Sequence, residues 1–178
     1  MKEPYIILVD ENDKETGILE KSEVHKKALL HRAVSVFIFN SKGEWILQRR
    51  AMQKYHSKGL WTNTCCSHPY PGETCLQAAS RRLLEEMGLR CDLREIFSFM
   101  YKEQLDNGMT EHELDHVFVG ISDDLPMLNP HEVMDWRVIS YTDLEREMAD
   151  NPAHFTVWFK KIYRKVNDMV QKDIPQSE

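Results

Sequence analysis

Apolar residues at positions 76, 79, 83 and 87 put Leu76, Ala79, Leu83 and Met87 on one face of a predicted α-helix. Both ends of this helix are marked. Thr74 followed by Gln77 is a capping-box pattern, and Gly88 suits the left-handed residue that closes a helix. Just upstream, Pro69, Pro71 and Gly72 cannot sit inside a regular element and predict a tight turn. The stretch 60–89 therefore reads as a short strand, a turn and one well-bounded helix, and the remaining elements are organised around it. Residues 5–9 (YIILV) predict a strand, residues 10–14 a polar turn, and residues near 17–19 a second short strand. Residues 21–30 are polar and fit either helix or loop. Residues 32–39 (RAVSVFIF) predict a strand, with a hairpin turn at 40–43 leading into another strand at 44–50. Residues 51–58 form a basic loop.

Beyond the central helix, strands are expected at 92–101 and 113–120, with 105–110 turning between them on the signal Asp106-Asn107-Gly108. A loop at 126–130 precedes a last strand at 135–140. Thr142 with Glu145 is a second capping-box pattern that would start a short helix, ended near Pro152. A final helix is expected over 155–170, followed by an unstructured polar tail at 171–178. Strands and helices in this order predict an α/β (α+β) domain, a mixed sheet sandwiched between helices, spanning the whole chain.

A chain of 178 residues is long enough to bury one sizeable core without staples. No apolar run approaches the roughly 20 residues of a membrane span. The opening residues turn acidic after a short apolar stretch and offer no small-residue cleavage site, so a signal peptide is not expected. The net charge of −6 argues against nucleic acid as a partner, although a local basic cluster can still bind phosphate. Cys65, Cys66, Cys75 and Cys91 form neither a secreted-type disulfide framework nor a zinc spacing, which fits a reducing, cytoplasmic setting. Cys65 and Cys66 are adjacent on a strand, so their side chains point to opposite faces.

Glu85 and Glu86 fall in the last turn of the central helix, where the dipole disfavours negative charge. The ordinary reading pairs them with Arg81 and Arg82, each exposed pair contributing about 0.3–0.5 kcal/mol. Their order along the chain points further. Glu73, Arg81, Leu83, Glu85, Glu86, Gly88 and Leu89 resemble the Nudix box, with Ser67 in place of its first glycine and Arg82 in place of the glutamate after the arginine. An ordinary Nudix hydrolase holds catalytic metal with that missing glutamate. Residues 61–69 (WTNTCCSHP) resemble the signature of type I isopentenyl-diphosphate isomerases, a branch of the Nudix superfamily. Leu30-His31-Arg32-Ala33, Arg49-Arg50-Ala51, Glu111-His112-Glu113 and Trp158 extend the resemblance in the right order over residues 5–163.

The resemblance implies a site. His25, His31 and His68 with Glu111 and Glu113 would hold one divalent ion, and three nitrogens with two oxygens suit Mn²⁺, Mg²⁺ or Zn²⁺. Taken singly, each histidine reads as a solvated side chain. Strand alternation puts Glu111 and Glu113 on one face and His112 on the other. Glu86 would hold a Mg²⁺ that comes with the substrate diphosphate, and Lys21, Arg50, Lys54 and Arg82 would neutralise that diphosphate. Cys66 and Glu113 would move protons on opposite sides of the substrate, Tyr101 would hydrogen-bond Glu113, and Trp158 would face the carbocation. The expected function is interconversion of isopentenyl and dimethylallyl diphosphate, by a monomer or weak homodimer with neither nucleic acid nor membrane as partner. The alternatives are a Nudix-type pyrophosphohydrolase of a nucleoside diphosphate derivative and a relative that only binds.

Overall fold

A computed structural model describes residues 4–105 and 108–173. The chain forms β1 (Tyr5–Val9), β2 (Glu15–Glu20), α1 (Lys21–Lys26), β3 (His31–Phe39), β4 (Trp45–Arg50), β5 (Trp61–Thr62), β6 (Cys65–Ser67), α2 (Cys75–Met87), β7 (Arg94–Gln104), β8 (Thr110–Ile121), β9 (Val133–Ile139), α3 (Tyr141–Asp150) and α4 (Val157–Asp173). The strands make one mixed sheet around β3. On one side β3 pairs with β8 in parallel over its full length. On the other it pairs antiparallel with β1, β6 and β4 in turn. β7 extends the sheet beyond β8, and β9 pairs with β4. Among the described residues no helix is long and apolar enough to cross a membrane.

Alternation along β3 sorts the core into two layers. Val34, Val36 and Ile38 pack with Ala78, Ala79, Leu83 and Met87 of α2. Phe37 and Phe39 pack with Trp158, Phe159, Ile162 and Val166 of α4. The sheet is thus sandwiched between α2 and α4, the architecture expected from the sequence. The two adjacent cysteines divide as alternation requires: Cys65 is buried in the α2 layer, and Cys66 packs against the α4 layer. All four cysteines are free thiols.

The caps of α2 form as predicted. Thr74 Oγ1 accepts from the Gln77 backbone N–H, and Gln77 Oε1 accepts from the Thr74 N–H. Gly88 closes the helix at φ 66°, and a Cβ there would lie 2.8 Å from the backbone oxygen of Met127. Only glycine suits both demands. The buried face differs from the expectation at one residue. Leu76 is exposed in the first turn, and the face is instead built from Ala78, Ala79, Leu83, Glu86 and Met87.

Other boundaries move as well. α3 is capped by Ser140, whose Oγ accepts from the Asp143 N–H, rather than by Thr142, which lies inside the helix. Pro152 opens a separate 3₁₀ turn, and α4 begins at Val157 instead of 155. α4 also continues through 171–173, where a tail was expected, because the first residues after Val170 are good helix formers. The end of that tail, and residues 106 and 107 of the predicted turn, lie outside the described residues.

Candidate active site

One face of β3 and β8 changes character along its length. Phe37, Phe39, Val117 and Val119 fill the core beneath α4, whereas His31, Ser35, Glu111, Glu113 and Asp115 occupy the same face towards the other end. This polar end opens into a cavity of about 200 Å³. Cys66, His68, Tyr101 and Trp158 line it together with Lys21, Arg50, Lys54 and Arg82.

The expected ion-binding residues converge. One donor atom each from His25, His31, His68, Glu111 and Glu113 lies within 4.8 Å of all the others, and all five residues are buried. The two carboxylates come from alternate positions of β8, while His112 faces away and contacts the Ala28 carbonyl at 2.9 Å. Backbone carbonyls fix two of the imidazoles. His25 Nδ1 lies 2.7 Å from the Lys21 oxygen and His31 Nδ1 lies 2.9 Å from the Leu29 oxygen. A carbonyl only accepts, so both Nδ1 atoms carry protons, and any lone pair on Nε2 of these rings points inward.

These lone pairs meet other acceptors. His31 Nε2 stands 3.2 Å from His68 Nε2, and His25 Nε2 stands 3.1 Å from Glu111 Oε2. Inward lone pairs at such distances repel unless a ring takes a second proton or a cation stands among them. Burial and the Lys21 charge push the His68 pKa down to about 3, so this ring is neutral and available as a ligand. Burial opposes charge on His25 as well, but the Glu111 carboxylate outweighs it and raises that pKa. The donor set, its burial and its tautomers fit a divalent metal ion.

The proton-handling residues flank β3 on its two sides. Cys66 on β6 lies opposite Ser35, and Glu113 on β8 lies opposite His31. Burial pushes the Cys66 thiol up to about 12, against the Arg50 charge that lowers it, so the thiol is protonated at neutral pH. Burial and the Glu111 charge work to raise Glu113, yet the imidazoles of His31 and His68 that face it outweigh them and hold its carboxyl below the usual value. Tyr101 is the cross-strand partner of Glu113 and donates its O–H to Oε2 at 2.6 Å. Burial and the Glu113 charge push the Tyr101 phenol well up, so it stays protonated and donates to the carboxylate.

Trp158 is core and cavity wall at once. It is 3% exposed, its Nε1–H donates to Asn63 Oδ1 at 3.2 Å, and the Arg50 guanidinium stands 5.3 Å from its ring centroid. The indole face already accepts one cation. Of the expected diphosphate ligands, Lys21 has its pKa lowered to about 8 by burial, with Lys54 and Arg50 adding to the effect. Lys54 and Arg82 both pair with Glu132.

Glu86 stands one layer behind this wall. Its Oε1 accepts from Arg82 at 2.6 Å and its Oε2 from Gln48 at 2.9 Å, and Arg82 rather than Glu86 lines the cavity. Glu85 remains an ordinary surface partner of Arg81 and Arg82.

Several site residues carry no signal in the sequence. Tyr55 and His56 lie in the loop read as basic, and Glu132 follows a proline-bounded loop, so none belongs to a periodic pattern. Asp115 had a signal: it continues the alternation from Glu111 and Glu113. Burial and the Glu113 charge push its pKa well up, and Ser35 donates to it at 2.7 Å.

The NUDIX domain family matches residues 29–159. A curated protein of Pectobacterium atrosepticum named isopentenyl-diphosphate Delta-isomerase is 54% identical over 93% of this chain and 93% of its own. Isopentenyl-diphosphate Delta-isomerase 2 of Aromatoleum aromaticum is 48% identical over 88% of this chain and 82% of its own. A crystal structure from Deinococcus radiodurans superimposes with a TM-score of 0.75 at 20% identity, covering 90% of this chain and 98% of that one, a likeness of fold.

Proposed function

Because the chain belongs to the NUDIX-domain family and, within it, to the isopentenyl-diphosphate Delta-isomerases, we propose that this cavity is where isopentenyl and dimethylallyl diphosphate interconvert. The enzyme is an isomerase acting on a small diphosphate. The reaction adds a proton to the terminal methylene and removes one from C2, with positive charge developing at C3 between the two events. An isolated alkene is a very weak base, so donor and acceptor must both be preplaced in a site that excludes water.

One observation carries this reading: a thiol and a carboxylate enter the same cavity from opposite sides of β3. Cys66 and Glu113 are the proton-transfer pair, and Tyr101 orients Glu113. Trp158 lines the same cavity with a face suited to a cation, worth about 2 kcal/mol or more when desolvated. Lys21, Arg50, Lys54 and Arg82 receive the diphosphate, whose oxygens replace Glu132 as the partner of Lys54 and Arg82. His25, His31, His68, Glu111 and Glu113 would hold a divalent ion, whose charge would tune the acidity of Glu113. Mn²⁺, Mg²⁺ and Zn²⁺ all accept this donor set. Glu86, whose carboxylate accepts from Arg82, would hold a Mg²⁺ that comes with the diphosphate. The described residues work as one domain.

Hydrolysis is disfavoured because Arg82, a cation, occupies the helix position where the Nudix box would carry a metal-binding glutamate. The test is incubation of the protein with isopentenyl diphosphate and Mg²⁺. Formation of dimethylallyl diphosphate without phosphate release is expected, and phosphate release without isomerisation would contradict the reading.

A pH dependence follows from Lys21. Its folded-state pKa of about 8 is depressed, so its ammonium is lost as pH rises through that value, removing positive charge from the diphosphate wall. The ratio kcat/KM, which reports free-enzyme ionisations, should fall on the alkaline side of about pH 8. Lys21→Arg should move that fall to higher pH, because a guanidinium stays charged. An alkaline limb identical in both proteins would remove Lys21 from this role.

A further inference from the structure

His56 lies outside the five-residue cluster yet reaches one of its carboxylates. The two oxygens of Glu111 are addressed by different imidazoles: Oε2 lies 3.1 Å from His25 Nε2, and Oε1 lies 3.1 Å from His56 Nε2. A carboxylate accepts only, so His56 must present a protonated Nε2 to it. Its Nδ1 is then the acceptor, and the Ser57 hydroxyl stands 3.1 Å away to supply that proton.

The ring has little freedom to do anything else. His56 is 5% exposed and is edge-on to Tyr55 at 4.4 Å and to Trp158 at 5.9 Å. Its backbone oxygen accepts from the Arg50 guanidinium at 3.2 Å. Ser57 sits at φ 49°, a left-handed conformation uncommon for serine, and this turns the loop so that His56 faces inward.

We propose that His56 is a positioning residue for the metal site: by holding Oε1 of Glu111, it turns Oε2 alone towards the ion. The inference rests on reading the cluster as a metal site. Outer partners of this kind fix the orientation of a ligand, and losing one typically costs about 10–100-fold in metal affinity. The chain Ser57–His56–Glu111 also ties the loop carrying Lys54 to the ion-binding end of β8.

The experiment is a Zn²⁺ titration of the full chain in competition with a chromophoric chelator, with circular dichroism confirming that each variant is folded. His56→Ala should weaken Zn²⁺ binding by about 10–100-fold. His56→Gln places an amide N–H near the position of Nε2 and should stay within a few-fold of the unaltered protein. His56→Asn is too short to reach Glu111 and should behave like alanine. The glutamine and asparagine variants decide the question even where alanine proves unstable. Equal affinity in all variants, or glutamine as weak as asparagine, would overturn the positioning role and leave the metal site standing. Failure of the unaltered protein to bind Zn²⁺ would overturn the metal site itself, and the inference with it.

Discussion

Cys66→Ala should lower the rate of isomerisation by about 10⁴-fold, the upper end of what a single acid–base group contributes. The thiol is the titratable group that β6 brings to its side of the cavity, and alanine has no proton to give or take at that position. Cys65 provides the control. It is fully buried in the opposite layer, among Ala78, Ala79 and Leu83, and burial holds its thiol well above the usual pKa. Cys65→Ala removes only packing, about 1 kcal/mol of stability, and should leave turnover within a few-fold. Steady-state assays of the two variants check the difference. Comparable losses in both would mean that the effect comes from the fold and not from proton transfer.

The second large effect is expected at the ion. His68→Asn takes away a neutral imidazole that faces His31 and Glu113 at 3.2 and 3.0 Å, and it shortens the side chain out of reach. Metal content after dialysis should fall from one ion per chain to background. Activity should fall by more than the 10–100-fold typical of an outer partner. Thermal stability should report the same event. A ligand bound only by the folded state at 100 times its Kd stabilises by about 2.7 kcal/mol, so a strong chelator should lower the Tm of the unaltered protein and leave His68→Asn little changed. An unchanged metal content in the variant would take His68 out of the ligand set.

The site was legible to different depths for physical reasons. Glu111 and Glu113 were readable because a strand repeats every two residues, so one short segment fixes both side chains on one face. The central helix was readable because Thr74, Gln77 and Gly88 state its ends chemically, whatever the rest of the chain does. Leu76 was misread because periodicity reports an angle around the helix axis and not whether anything covers that turn. Ser140 was missed as a cap because Thr142 with Glu145 offered a competing pattern two residues later, and tertiary packing chose between them.

His56 and Glu132 illustrate the deeper limit. Each is a lone polar residue in a loop, and its role depends on which distant side chain the fold delivers to it, Glu111 in one case and Lys54 with Arg82 in the other. Glu86 shows the reverse. The sequence places it in the Nudix box, while the fold puts Arg82 between its carboxylate and the cavity.

The central claim is that this cavity moves protons onto and off a carbon skeleton, and carrying out turnover in deuterated water tests it most directly. Thiol and carboxyl protons exchange with solvent, so protonation of the terminal methylene should place deuterium in the new methyl group of dimethylallyl diphosphate, detectable by mass spectrometry and NMR. Isomerisation that leaves this methyl group unlabelled would contradict the account.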